Sequence, residues 1–81
     1  MDKGQALDAI KKALKIVLGS DVEFGEQTDL IGEKIIDSLD GIRFIFELEE
    51  LTSVKFPERD LEEEGFFKVA KLVDYLQKTS G

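Results

Sequence analysis

The most informative stretch of this sequence for chemistry is Asp37-Ser38-Leu39-Asp40, in which a serine hydroxyl lies between two aspartates. The sequence contains no histidine and no cysteine. We therefore expect no general base that could activate the hydroxyl, no thiolate nucleophile and no zinc site. We predict no catalytic residue and no bound metal in this chain.

The aspartate before Ser38 predicts that a helix begins at this point. An aspartate at the N-cap accepts hydrogen bonds from the free amides of the first turn, here those of Ser38, Leu39 or Asp40. Ser38 then opens the first turn, where its hydroxyl is exposed and the positive end of the helix favours a phosphate group. Alone, the string is a weak signal, since capping aspartates and solvated serines adjoin in many unrelated helices.

The residues before this string predict one helix and a long loop. Between positions 3 and 18, apolar side chains recur at the spacing of one helical face, and Gly19 is a natural stop. The face consists of Leu7, Ile10, Leu14 and Val17. Residues 20–36 show no sustained period, yet they include several large apolar side chains. We therefore expect this loop to lie on the core, although it is long for a compact domain.

The helix that follows Asp37 is apolar around about two thirds of its circumference, at roughly 100° per residue. Its apolar side chains are Leu39, Ile42, Phe44, Ile45, Phe46, Leu48 and Leu51. The remaining arc is a narrow polar stripe, formed by Asp40, Arg43, Glu47 and Glu50. We expect a central helix that neighbours cover on several sides, with this stripe left for solvent or a partner.

The last third of the chain predicts two more helices. Pro57 suits the first turn of a short helix over Glu58 to Glu64, and Gly65 interrupts it. From Phe66 onward, apolar residues repeat at the spacing of a last amphipathic helix. We predict an all-α four-helix bundle with three main helices, a short third helix and a long loop between the first two. We expect residues 1–81 to form one domain.

The composition is that of a soluble globular protein, with 42% apolar and 36% charged residues. The formal net charge is −7, from 18 acidic and 11 basic residues. Such a field repels nucleic acid and attracts partners with basic patches, although plain solubility explains it equally well. Because the sequence has no long apolar stretch, we expect no membrane insertion and no secretion, and we place the protein in the cytoplasm.

Several short motifs together resemble those of the acyl carrier proteins. They are Asp37-Ser38-Leu39, Glu49-Glu50, Phe56-Pro57 and Asp74-Tyr75-Leu76. The resemblance implies that Ser38 receives 4′-phosphopantetheine from coenzyme A, that Asp37 helps a transferase to position its metal ion, and that Leu39 belongs to the attachment site. It also implies a monomer whose acidic helix, through Asp40, Arg43, Glu47 and Glu50, docks onto processing enzymes. Those partners would be a phosphopantetheinyl transferase, an acyl-loading ligase or synthase, and acyltransferases of lipid metabolism, such as fatty acid biosynthesis.

Some residues depart from the pattern of the ordinary fatty-acid carriers. Arg43 interrupts the acidic stripe, Ile36 replaces a small residue before Asp37, and the third-helix region is about two residues longer. The run from Asp60 to Phe66 is similar to that of specialised carriers and of the D-alanyl carrier proteins, in which an aromatic residue lies under the short helix.

Phenylalanine side chains are the candidates for an acyl pocket between the helices, although each is more simply explained as part of the core, and both roles can hold together. The predicted pocket residues are Phe44, Phe46, Phe56 and Phe66. Phe67 could join them, but it has no counterpart in the family. Two alternatives remain open: a carrier of D-alanine or another amino acid, and a helical protein-interaction module with an unmodified Ser38. A hydrolase using Ser38 would lack a base.

Overall fold

The computed structural model describes residues 1–79, which form four helices. These are α1 (Lys3–Leu18), α2 (Ser38–Thr52), α3 (Glu58–Leu61) and α4 (Val69–Thr79). Within that range there is no strand, and a single isolated β-bridge pairs Asp29 with Lys68. The predicted all-α class, with three main helices, a short third helix and a long loop between α1 and α2, is confirmed.

Residues at the two ends of α1 define its bounds, which are those predicted. The amide of Gln5 donates to the Asp2 carboxylate at 2.7 Å, and the Gln5 side chain accepts from the Asp2 amide at 3.0 Å. This reciprocal pair satisfies two amides at the helix start. Gly19 ends the helix with φ 76°, a left-handed conformation that glycine adopts without strain.

The loop between α1 and α2 packs on the core, as predicted. Leu30 and Ile36 are buried, and both the Ile35 and Ile36 amides donate to the Leu30 carbonyl at 3.0 Å. The Leu30 amide in turn donates to the carbonyl of Phe67 at 3.1 Å. The loop is therefore tied by its main chain to the segment that precedes α4.

The same loop satisfies the first amides of α4. The Val69 amide donates to the Thr28 carbonyl at 2.9 Å, and the Ala70 amide donates to the Glu26 carbonyl at 2.8 Å. The first amides of a helix have no partner within the helix itself. Here the loop backbone supplies those acceptors, which side-chain capping supplies for α1 and α2.

The predicted end of the third helix and the predicted start of the last helix are both wrong. The third helix ends at Leu61 rather than Glu64, and the last begins at Val69 rather than at Phe66. Three consecutive glutamates after Leu61 would lie at the negative end of a longer helix, which disfavours them. Gly65, at φ 76°, then turns the chain so that Phe66 and the next residue become buried. Pro57 is the N-cap of α3 rather than a residue of its first turn.

The core lies where α1, α2 and α4 meet. Its largest fully buried side chains are Ile10, Leu14, Leu30, Phe44, Leu48, Val69, Leu72 and Leu76. Each comes from the apolar face of its helix or from the loop, so the core follows from helical periodicity. None of the helices within residues 1–79 has both the length and the apolar character needed to cross a membrane.

The prediction that neighbours cover α2 on several sides is wrong, because one apolar side of the helix is exposed. Leu39, Ile42 and Phe46 are 74%, 50% and 62% exposed. We call these three side chains the α2 ridge. They are left uncovered because α2 packs on α1 and the core with its other side and because α3, with four residues, is too short to cover the rest.

Candidate functional site

Ser38 is exposed and is the first residue of α2. Asp37 precedes it in an extended conformation as N-cap, and its carboxylate accepts from the Asp40 amide at 2.8 Å. Among the described residues, no hydrogen bond occupies the Ser38 side chain. The hydroxyl therefore lies at the positive end of a capped helix, where it is accessible to a reagent and next to amides that favour a phosphate.

A groove opens beside Ser38 and follows α2, with a volume of about 520 Å³. We call it the Ser38 groove. The α2 residues that line it are Ser38, Ile42, Ile45, Phe46 and Glu49. These positions lie on one face of the helix, and at 1.5 Å per residue they extend over about 16 Å. The opposite wall consists of Ile31, Phe56, Leu61, Glu62 and Phe67.

Of the four phenylalanines predicted to line a pocket, two do so. Phe46 and Phe56 line the Ser38 groove, whereas Phe44 and Phe66 are buried in the core and do not. Phe44 and Phe46 are two residues apart on a helix, so their side chains point about 200° apart around its axis. Phe66 packs edge to face on Phe56, with ring centroids 5.9 Å apart, and so supports the wall from behind.

Most of the opposite wall was not identified as pocket-lining from the sequence. Ile31 comes from the loop between α1 and α2, and Leu61 and Glu62 come from the end of α3. These segments meet only through the tertiary fold, and no local spacing relates them to Ser38. Phe67 was a candidate for the pocket only because it is a phenylalanine. It lines this wall two residues before α4 begins.

Polar contacts hold the far end of the groove in place. The Glu49 side chain is half-buried, and its carboxylate accepts from the Phe56 amide at 2.7 Å. The Tyr75 ring stacks on Phe56 at 4.7 Å, and its hydroxyl donates to the Lys55 carbonyl at 3.1 Å. Burial, and then the negative charges of Asp60 and Glu49, raise the pKa of Tyr75 above 10.0. The segment before Pro57 is thus fastened to both α2 and α4.

The predicted polar stripe lies beside the α2 ridge. Its residues Asp40, Arg43, Glu47 and Glu50 follow one another at spacings of three and four, which places them on one side of the helix. The Arg43 guanidinium lies 3.8 Å from the Asp40 carboxylate, and the Arg43 side chain is 65% exposed. An exposed pair at that distance contributes little to stability, so Arg43 remains available to a partner.

Comparisons with known proteins give no assignment for this site. The chain matches no family model, no curated protein and no solved structure. Any function is therefore argued from the residues of the chain and their arrangement.

Proposed function

We propose that this protein is an acyl carrier protein. It holds an acyl group as a thioester on a 4′-phosphopantetheine arm attached to Ser38 and presents that group to enzymes of lipid or polyketide biosynthesis. One observation supports this proposal above the others: an exposed serine at the start of a capped helix opens directly onto an apolar groove. The sequence motifs around Ser38 give the same interpretation.

The surroundings of Ser38 suit attachment of a phosphodiester. In that reaction the Ser38 oxygen forms a bond to the phosphorus next to the pantetheine, the bond from that phosphorus to the adenosine part of coenzyme A breaks, and adenosine bisphosphate leaves. The serine proton passes to the modifying transferase, since this chain has no histidine near Ser38 to accept it. The N-terminal amides of α2 then stabilise the negative charge beside the helix.

The Ser38 groove suits an apolar cargo. Its volume of about 520 Å³ lies within the roughly 300–1,000 Å³ that small-molecule sites occupy. Each methylene group that moves from water into such a groove contributes about 0.8 kcal/mol. The bound arm supplies the thiol that holds the acyl group, and the groove residues shelter that group from water while the protein moves between enzymes.

The α2 ridge and the polar stripe suit reversible docking of partner enzymes. Exposed carboxylates attract basic patches and accelerate encounter, and salt weakens that attraction. The ridge adds an apolar contact directly beside Ser38. Arg43, as the one cation of the stripe, favours a partner that places an acidic group opposite it. The partners would be a phosphopantetheinyl transferase, an acyl-loading enzyme and acyltransferases.

Intact mass measurement after incubation with coenzyme A and a broad-specificity phosphopantetheinyl transferase tests the proposal. We expect the wild-type protein to gain the mass of one phosphopantetheine and Ser38→Ala to gain none. Ser20→Ala is the matched control, because it removes another exposed hydroxyl away from any helix start and should still be modified. A wild-type protein that gains no mass would contradict the proposal.

The α2 ridge also favours a second candidate, a helical interaction module without an arm. Three large apolar side chains on one exposed helical face form the kind of surface that binds the apolar groove of a partner. This candidate predicts an unmodified Ser38 and a stable complex that survives Ser38→Ala. The mass measurement therefore separates the two functions.

A further inference from the structure

Gly41 and Phe67 form a close contact between α2 and the opposite wall of the Ser38 groove. Gly41 is buried in α2, three residues after Ser38. A Cβ atom at this position would lie 3.2 Å from the Phe67 Cζ atom and 3.3 Å from the Ile31 Cδ1 atom. Glycine is a poor helix former, so a steric demand explains its presence here. The Phe67 ring occupies the space that a side chain at position 41 would take.

The Phe67 ring separates the groove from the core. One side of the residue lines the groove, although only 8% of its surface is exposed. Its ring centroid lies 6.3 Å from that of the buried Phe44 and 5.6 Å from that of Phe66. A chain that enters the groove beside Ser38 therefore meets this ring before it can reach the space between α2 and the core.

We propose that Phe67, seated on Gly41, determines which acyl groups this protein can shelter. The ring closes the path into the core and confines the cargo to the groove along α2, so that short- and medium-chain acyl groups are buried and the ends of longer chains remain in solvent. This inference rests on the proposed carrier function and names its substrate class. Phe67 is thus a specificity-determining residue rather than a catalytic one.

Cleavage of the thioester by hydroxylamine measures how well the cargo is sheltered. Straight-chain acyl groups from acetyl to palmitoyl are installed on Ser38 with a transferase and the matching acyl-coenzyme A. While the chain still fits, each added methylene should slow cleavage by up to about fourfold, from its transfer free energy. In the wild-type protein we expect the rate to level off at a medium chain length, where the groove is full.

Two variants should move that plateau. Phe67→Leu shortens the wall and should shift the plateau to longer chains. Gly41→Ala would place a Cβ atom 3.2 Å from the Phe67 Cζ atom, which displaces the ring and should shift the plateau from its wild-type chain length. Phe24→Leu is the matched control, because it removes the same atoms from a phenylalanine that lines another part of the surface and not the groove. In parallel, the Gly41 amide resonance should move with chain length up to the plateau and then remain constant.

Circular dichroism first establishes which variants fold, and either Phe67→Leu or Gly41→Ala alone is sufficient for the test. An unchanged plateau in the folded variants, or an equal shift in Phe24→Leu, would overturn the role of Phe67 and leave the carrier function intact. If the wild-type protein accepts no arm at Ser38, the carrier function itself fails, and this inference fails with it. The two failures are therefore distinguished by the mass of the protein.

Discussion

Replacement of Asp37 by alanine should destabilise the protein by about 1–2 kcal/mol. The Asp37 carboxylate accepts from the Asp40 amide at 2.8 Å, and loss of such an N-cap costs typically about 1 kcal/mol. Loss of the negative charge beside the positive end of α2 adds about 0.3–1 kcal/mol. For a domain of this size, each 1 kcal/mol corresponds to a melting temperature lower by about 4–8 °C.

Asp37→Asn separates the two contributions, because asparagine caps as well as aspartate but carries no charge. It should therefore lose only the charge contribution of about 0.3–1 kcal/mol. Urea unfolding followed by the helical circular dichroism signal measures both variants, and the slope with urea should not change. Asp21→Ala is the control for an exposed loop carboxylate and should stay within about 0.5 kcal/mol. Equal losses for Asp37→Ala and Asp37→Asn would refute a capping role.

Two further predictions concern the loop and the far end of the groove. Leu30→Ala should cost about 2–5 kcal/mol in urea unfolding because Leu30 is fully buried, whereas Leu39→Ala should cost less than about 0.5 kcal/mol; equal losses would contradict the packing of the loop. Tyr75 is the sole tyrosine, so tyrosinate absorbance should give a higher pKa in the native than in the urea-unfolded protein, where it is near 10.0. Because the native pKa of Tyr75 is raised, its contribution to the free energy of unfolding is complete below pH 10.0 and is lost as the pH rises through the native pKa. A Tyr75→Phe protein that loses the same stability at alkaline pH would contradict this.

The parts of the structure that depend on local chemistry were predictable from the sequence. The bounds of α1 follow from its apolar spacing and from Gly19, and the start of α2 follows from the capping preference of Asp37. Ser38 could be placed at a helix start for the same reason. These features involve residues within one helical turn of each other.

Features that depend on the meeting of distant segments were not predictable in this way. The exposure of the α2 ridge follows from the short length of α3, which ends where three glutamates would oppose the helix dipole. A helical wheel places Phe46 on the apolar side of α2 but does not show whether another segment covers that side. Likewise, Ile31 becomes a wall of the groove only because the loop returns across α2. The glycine at position 41 of α2 is explained by the Phe67 ring, which packs against it.

The backbone link between the loop and α4 couples two regions that are far apart in the sequence. When the carbonyls of Glu26 and Thr28 move away, the amides of Ala70 and Val69 lose their acceptors, so we expect these segments to open as one cooperative unit. Phe67 belongs to this unit, because its carbonyl accepts from Leu30. A ligand that binds the loop would therefore slow the local opening that frees the Phe67 ring from Gly41. Slower hydrogen exchange at the Val69 amide would report that change from a distance.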